Sequence, residues 1–395
     1  MRTARVAAGA LAAALTGVLV AGTAAQAAAT WTPLNPDGIT FDKGLGVTTT
    51  VEAPGATRTP YVFARQSGTP TRMWLHRDAV VNGWDYLDAP LGDTIAGPVG
   101  ATTAGADDFQ LPQVFVMGGS GKLLVASKTP SGLWTKLNTI GGTPGGALKW
   151  GAGAVARKVP GDRGGRPYAF MVDAGNQLWT YYWNGTQYNW NKIGAPAGTT
   201  LTGSIGATAV VDGVDTATPY VFLYGSDGHA YVAFITDATG EQWAWQDLSL
   251  ANGHRVVSGV GATVSGAAGT QRPYGFTLAD DGALWQISWS GAAWVWNRPG
   301  TPPSGGITAN GGIGATAVLE NNIQVYRPNA FVIGRDGHQW NWDGTSGAWI
   351  DDSGPPTAPI VSGVGATVFS LPFAVDTEAE TFVLTTGGLL WESGS

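Results

Sequence analysis

The sequence predicts an all-β chain folded as a seven-bladed β-propeller, with four antiparallel strands in each blade. Three observations carry that prediction. A short Gly-rich motif recurs at a nearly fixed spacing, and each copy is followed by the same three strand signals in the same order. No segment after residue 29 shows the apolar period of a helix.

The first strand is the most visible. The octapeptide VSGVGATV at residues 257–264 is spelled again, letter for letter, at residues 361–368, and related stretches occupy residues 44–51, 97–103, 149–156, 203–211 and 311–319. The glycine before Ala-Thr, or its equivalent, falls at Gly46, Gly100, Gly153, Gly206, Gly261, Gly314 and Gly365, giving gaps of 54, 53, 53, 55, 53 and 51 residues. This strand is expected to be innermost, beside its equivalents round a central channel, where bulky side chains would collide. A nucleotide-binding loop does not fit. Gly259-Val260-Gly261 lacks the third glycine of that motif, no helix pattern follows, and the unit is repeated.

The second strand carries a Pro-Tyr-x-Phe signal, as at Pro60–Phe63, Pro167–Phe170, Pro219–Phe222 and Pro273–Phe276. A tight turn and the third strand follow, as in Asp281-Gly282-Ala283-Leu284-Trp285 and Asp336-Gly337-His338-Gln339-Trp340. Asp-Gly between apolar runs is a strong hairpin signal. The fourth strand is W-x-W-like: Trp84-Asp85-Tyr86, Trp243-Ala244-Trp245 and Trp294-Val295-Trp296. The seventh unit stops before its fourth strand, whereas Thr30-Trp31-Thr32-Pro33-Leu34-Asn35 resembles Leu133–Asn138. Residues 30–35 are therefore expected to supply the outer strand of the last blade and close the ring.

Residues 1–29 read as a cleaved signal peptide, with a basic start, an apolar stretch from Val6 to Gly22 and small residues before the expected cleavage site. A single propeller domain over 30–395 is expected to be secreted. Losing Arg2 and Arg5 leaves nineteen basic against twenty-eight acidic residues. Nucleic acid and membrane surfaces are poor partners for such a chain. The chain has no cysteine, which excludes disulfides, thiolate metal sites and cysteine nucleophiles. No cofactor is indicated, and no calcium loop of the D-x-D-x-D-G kind is present. The sequence says nothing about oligomeric state.

Aligning the units separates two kinds of aromatic. The first aromatic of the last strand (Trp84, Trp134, Tyr188, Trp243, Trp294, Trp349 and Trp31) is filled in every unit, and so reads as core. Trp183, Trp289 and Trp342 after the third-strand aromatic, and Trp190, Trp245 and Trp296 with Tyr86 in the second place of W-x-W, occur in some units only. These six tryptophans are the candidate ligand residues, since an indole face stacks on the apolar face of a sugar. Packing between blades is the competing reading. His229 and His338 occupy equivalent turns two blades apart and read as turn residues rather than metal ligands, and Arg166, Arg272 and Arg327, each before a proline, read as repeated blade features.

The Gly-x-Leu-Trp series (Asp281 to Trp285, Gly388 to Trp391), the tryptophans after it and the sevenfold count resemble the propeller lectins that bind fucose and related sugars. That resemblance implies sugar bound between adjacent blades against tryptophan, and a multivalent carbohydrate-binding function. A glycosidase or polysaccharide lyase on a propeller is the enzymatic alternative. It would need acidic or basic residues unique to one or two blades, for which Asp107-Asp108, Lys158 to Arg163 and Glu241 are candidates without a shared spacing. A non-catalytic protein-binding propeller is the third reading. Removal of residues 30–36 is expected to lower the melting temperature sharply, and an unchanged melting curve would count against the ring closure.

Overall fold

The computed structural model describes residues 29–394, apart from residues 55, 57, 69–70, 78–82, 107–108, 163, 212–215, 268, 321–323 and 370–376. The expected signal peptide, Asp107-Asp108 and Arg163 lie outside the described residues, Ala29 excepted. Apart from one turn of 3-10 helix at Ala309–Gly311, every described element is a β-strand. No described helix is long and apolar enough to cross a membrane.

The strands pair with their chain neighbours into antiparallel meanders of four. The first runs through Phe41–Val51, Arg58–Gln66, Arg72–Arg77 and Trp84–Asp88. The pattern repeats over residues 95–141, 148–194, 201–249, 256–300 and 314–353. The last group, residues 360–394, supplies three strands. Its fourth is Thr30–Pro33, antiparallel to Leu390–Gly394 with Trp31 opposite Ser393.

The first strand of each meander lies against the first strand of the next, and that of the last lies against that of the first. The repeated glycines make this approach possible. A Cβ added at Gly46, Gly100, Gly153, Gly206, Gly261 or Gly314 would come within 2.6–2.9 Å of Val99, Ala152, Ile205, Val260, Ile313 or Val364 respectively, and one at Gly365 would come closer still to Val47. None of these seven glycines has a positive φ, so what they provide is room rather than backbone freedom. Further out, the start of a second strand pairs with the end of the preceding first strand, as Gly165 with Gly105, Ala217 with Lys158, and Val325 with Ala267.

Second strands carry the core. Phe63, Phe115, Phe170, Phe222, Phe276, Phe331 and Phe382 are each shielded from solvent. The turn after this strand then anchors the third-strand aromatic. Trp179, Trp285 and Trp340 donate their indole N–H groups to Asp173, Asp281 and Asp336 at 2.7, 3.2 and 3.1 Å, and Tyr231 donates its hydroxyl to Asp227 at 2.6 Å. A buried indole N–H needs an acceptor, and a turn aspartate provides one without interrupting a strand.

One buried carboxyl stands at the boundary of the sixth and seventh meanders. Asp352 accepts a hydrogen bond from Gln339 Nε2 at 3.0 Å, and the same nitrogen bonds Thr381 Oγ1 across the boundary at 2.9 Å. Burial pushes the Asp352 carboxyl up to about 6 and the neighbouring Asp351 charge adds to this, while the Gln339 bond offsets part of the rise. A carboxyl raised on folding favours the fold fully below its unfolded pKa, and that contribution is lost as pH climbs through the folded value.

Two outcomes are expected. Gly261→Val should destabilise by about 1–3 kcal/mol through overpacking against Ile313. Thermal melts check this, with Gly394→Ala, where an added methyl meets nothing within 4 Å, as the neutral control. Asp352→Asn should melt with the parent near pH 4 and several degrees above it at pH 8; equal melting at both would contradict the buried-charge account.

Candidate functional site

The strand register revises the alignment of the outer strands. The residue two places after the third-strand aromatic faces Trp84, Trp190, Trp245, Trp296, Trp349 and Trp31, through the pairs His76–Trp84, Tyr181–Trp190, Ala233–Trp245, Ile287–Trp296, Trp342–Trp349 and Ser393–Trp31. Trp190, Trp245 and Trp296 are therefore equivalent to Trp84, Trp349 and Trp31 and are not an extra, variable set. The third to fifth meanders carry this hairpin two pairs further, to Trp183–Tyr188, Ile235–Trp243 and Trp289–Trp294, which displaces a sequence alignment by two residues.

This series has a shared role. Trp245 donates to the Ile193 carbonyl at 3.2 Å, Trp296 to Leu248 at 2.8 Å, Trp349 to Pro299 at 3.1 Å, Trp84 to Leu34 at 2.5 Å and Trp31 to Asp352 at 3.0 Å. Each acceptor occupies the same place on the outer strand of the preceding meander. Trp190 packs against Tyr181 with ring centroids 5.0 Å apart. Of the expected stacking residues, Trp245 and Trp296 bond neighbouring outer strands together and Trp190 packs on the third strand of its own sheet, all three half-buried. Trp342, also expected at a ligand site, lies deeper. It is only 9% exposed and meets Phe276 edge-on at 5.7 Å. Phe222 has the same contact with Trp294 from the outer strand, but the sixth meander has Gly347 in that place, so the third strand fills the gap.

Trp183 and Trp289 remain, and they occupy equivalent corners. Each ends a third strand, half-buried, against the aromatic that begins the fourth: Trp183 lies 5.1 Å from Tyr188 and Trp289 lies 5.6 Å from Trp294, both steeply inclined. An arginine braces each hairpin from the second strand. Arg166 Nη1 donates to the Asn184 carbonyl at 2.7 Å, and Arg272 Nη1 to the Ser290 carbonyl at 2.5 Å. The arginines before proline thus hold the tryptophan-bearing hairpin in place.

The Trp183 corner opens on a cleft of about 510 Å³ between the second and third meanders. Gly105, Gly164 and Gly165 form part of its wall, where a Cβ on Gly164 would collide with the Gly105 carbonyl. The polar groups are Gln113 from the second meander, which accepts the Tyr188 hydroxyl at 2.9 Å, and Arg166, whose Nε donates to Asp162 at 2.5 Å. Burial raises the Tyr188 phenol, so it stays protonated and donates at neutral pH. An aromatic wall with an amide, a carboxylate and a guanidinium beside it suits a small polyhydroxylated ligand. Gln113 was not legible as a site residue because it comes from the neighbouring unit, where its position is the tyrosine of Pro-Tyr-x-Phe in other repeats.

The equivalent groove between the third and fourth meanders is filled. Arg157, buried there, donates to the carbonyls of Ala238 and Thr239 at 2.7 and 2.9 Å, and Glu241 accepts from the Tyr182 hydroxyl at 3.2 Å. His229 and His338 pair with Asp247 and Asp351 at 3.0 and 3.1 Å, and among the described residues no group of three His, Cys, Asp or Glu could hold a metal ion.

No known family model matches the chain, and no curated protein does. Solved structures do. The chain is similar to the BP39L lectin from Burkholderia pseudomallei, at 20% identity and TM-score 0.61 over 89% of this chain and 96% of that one. It is similar also to a fucose-specific lectin from Aleuria aurantia, at 14% identity and TM-score 0.52 over 81% of this chain and 99% of that one. In another structure that Aleuria lectin is described as a six-bladed β-propeller, aligning at 17% identity and TM-score 0.49 over 75% of this chain and 93% of that one. Four-stranded antiparallel meanders set side by side through their first strands make the fold a β-propeller.

Proposed function

We propose that the chain is a secreted, multivalent carbohydrate-binding propeller that takes sugar in the clefts between blades. The observation that carries this reading is the repeated corner of tryptophan, second aromatic and bracing arginine at Trp183 and Trp289. Trp183 presents an indole beside Gln113, Asp162 and Arg166, which supply donors and acceptors for ring hydroxyls. Two equivalent corners on one rigid body gain affinity for a displayed glycan without tight individual sites. Fucosides are the first ligands to test, because the structurally similar Aleuria aurantia lectin is fucose-specific.

The reading includes seven blades and a ring closed by the N-terminal strand. The pairing of Thr30–Pro33 with Leu390–Gly394 supports it, as does the contact of Gly365 with Val47. Secretion rests on reading residues 1–29 as a leader, and the lack of cysteine leaves closure to strand pairing.

A glycan array followed by titration of intrinsic fluorescence tests the proposal. Trp183→Ala and Trp289→Ala should each weaken binding of the preferred sugar about tenfold, the value of one aromatic face. Trp245→Ala should instead lower the melting temperature, through loss of its bond to Ile193. A clean array at protein concentrations that detect millimolar sites would sink the carbohydrate reading.

A further inference from the structure

The sixth meander departs from its relatives at neighbouring positions that face a second cleft, of about 380 Å³, on the seventh. Two residues before the core phenylalanine, where four other meanders carry Tyr61, Tyr168, Tyr220 and Tyr274, it carries Asn329. Exchanging a phenol for a short carboxamide removes the ring that fills this groove elsewhere. Asn341 on the adjacent strand lines the same cleft. Asn329 is 7% exposed and Asn341 8%, and among the described residues no donor reaches the Oδ1 of either. A buried amide without partners costs about 1–3 kcal/mol, so two side by side point to a ligand that completes them.

The remaining lining narrows the ligand. Arg327, like Arg166, turns its Nε to a carboxylate, donating to Glu320 Oε2 at 3.2 Å. With Asp343 and Glu378 also at the cleft, acidic groups outnumber the one cation, which disfavours anionic sugars. Among the described residues no aromatic side chain lines it, and the two amides are its distinguishing groups. Val318, Leu319 and Ile350 supply apolar surface beside the two amides.

We propose that this cleft binds a neutral N-acetylated sugar, its acetamido group hydrogen-bonded by Asn329 and Asn341 and its methyl set against the aliphatic wall. An acetamido group carries one donor, one acceptor and one methyl, which matches two unpaired carboxamides beside aliphatic side chains. The ligand class rests on the carbohydrate-binding reading above, but the site is separate from Trp183 and Trp289.

The experiment is ligand-observed NMR titration of the full chain with the methyl glycosides of N-acetylglucosamine and N-acetylgalactosamine, their parent hexosides, and N-acetylneuraminic acid. At least one acetamido glycoside should bind saturably, about tenfold tighter than its parent hexoside and than the anionic sugar. Asn329→Tyr, which restores the residue of the other repeats, should abolish that difference while the Trp183→Ala, Trp289→Ala double variant keeps it. Asn341→Leu, checked by melting, serves if the tyrosine variant does not fold. Equal binding of acetamido and parent sugars, or no saturable binding, overturns the proposal. So does binding that is lost in the tryptophan variant and kept in both asparagine variants. A chain that loses all response at Trp183 and Trp289 but keeps an acetamido preference dependent on Asn329 would retire the stacking site alone.

Discussion

Everything in this architecture depends on how closely neighbouring first strands approach at one glycine per repeat. Without a Cβ at Gly46, Gly100, Gly153, Gly206, Gly261, Gly314 and Gly365, the next strand's valine, isoleucine or alanine can lie where a side chain would stand. That approach fixes the radius at which the sheets are set. The radius in turn fixes how far the second strands diverge, which is the space the core phenylalanines fill, and how far apart the outer strands lie, which is the span of the tryptophans. The chain is therefore glycine-rich inside and indole-rich outside for a single geometric reason.

With no disulfide available, adhesion between sheets is distributed. Backbone pairs join the first strand of one meander to the second strand of the next, and indole N–H groups join outer strands to the carbonyls of their predecessors. Each bond alone contributes modestly. Their repetition lets individual grooves differ: the third–fourth groove is sealed by a hairpin over Arg157, the second–third is left open beside Trp183, and the sixth–seventh is lined with amides.

The strand order, the repeat period and the inner position of the glycines were legible in the sequence because they recur and because sterics leave few residue choices there. The outer strand was less legible. A hairpin that runs two pairs past this position in three repeats keeps the W-x-W pattern but moves its structural meaning, so Trp190, Trp245 and Trp296 looked variable when their position is shared. The burial of Trp342 was hidden for a similar reason, since it goes with Gly347 on the adjacent strand. Site residues fared worst. Trp183 could be singled out by its irregular occurrence, but Gln113 belongs to a different repeat, and only the packing of the two sheets brings them together. Asn329 was visible as a departure from Pro-Tyr-x-Phe, yet its meaning required knowing that no partner meets it.

The strand Thr30–Pro33 has a consequence in time as well as in space. It is made before every other described strand, and its partner, Leu390–Gly394, after them. The acceptor for Trp84 is Leu34, just beyond that strand, and Trp31 itself reaches back to Asp352. The intervening sheets have their partners at hand as they emerge, whereas this one waits for all of them. Completing that sheet therefore waits until Leu390–Gly394 has been made, and a chain interrupted before it leaves Thr30–Pro33 without its strand partner.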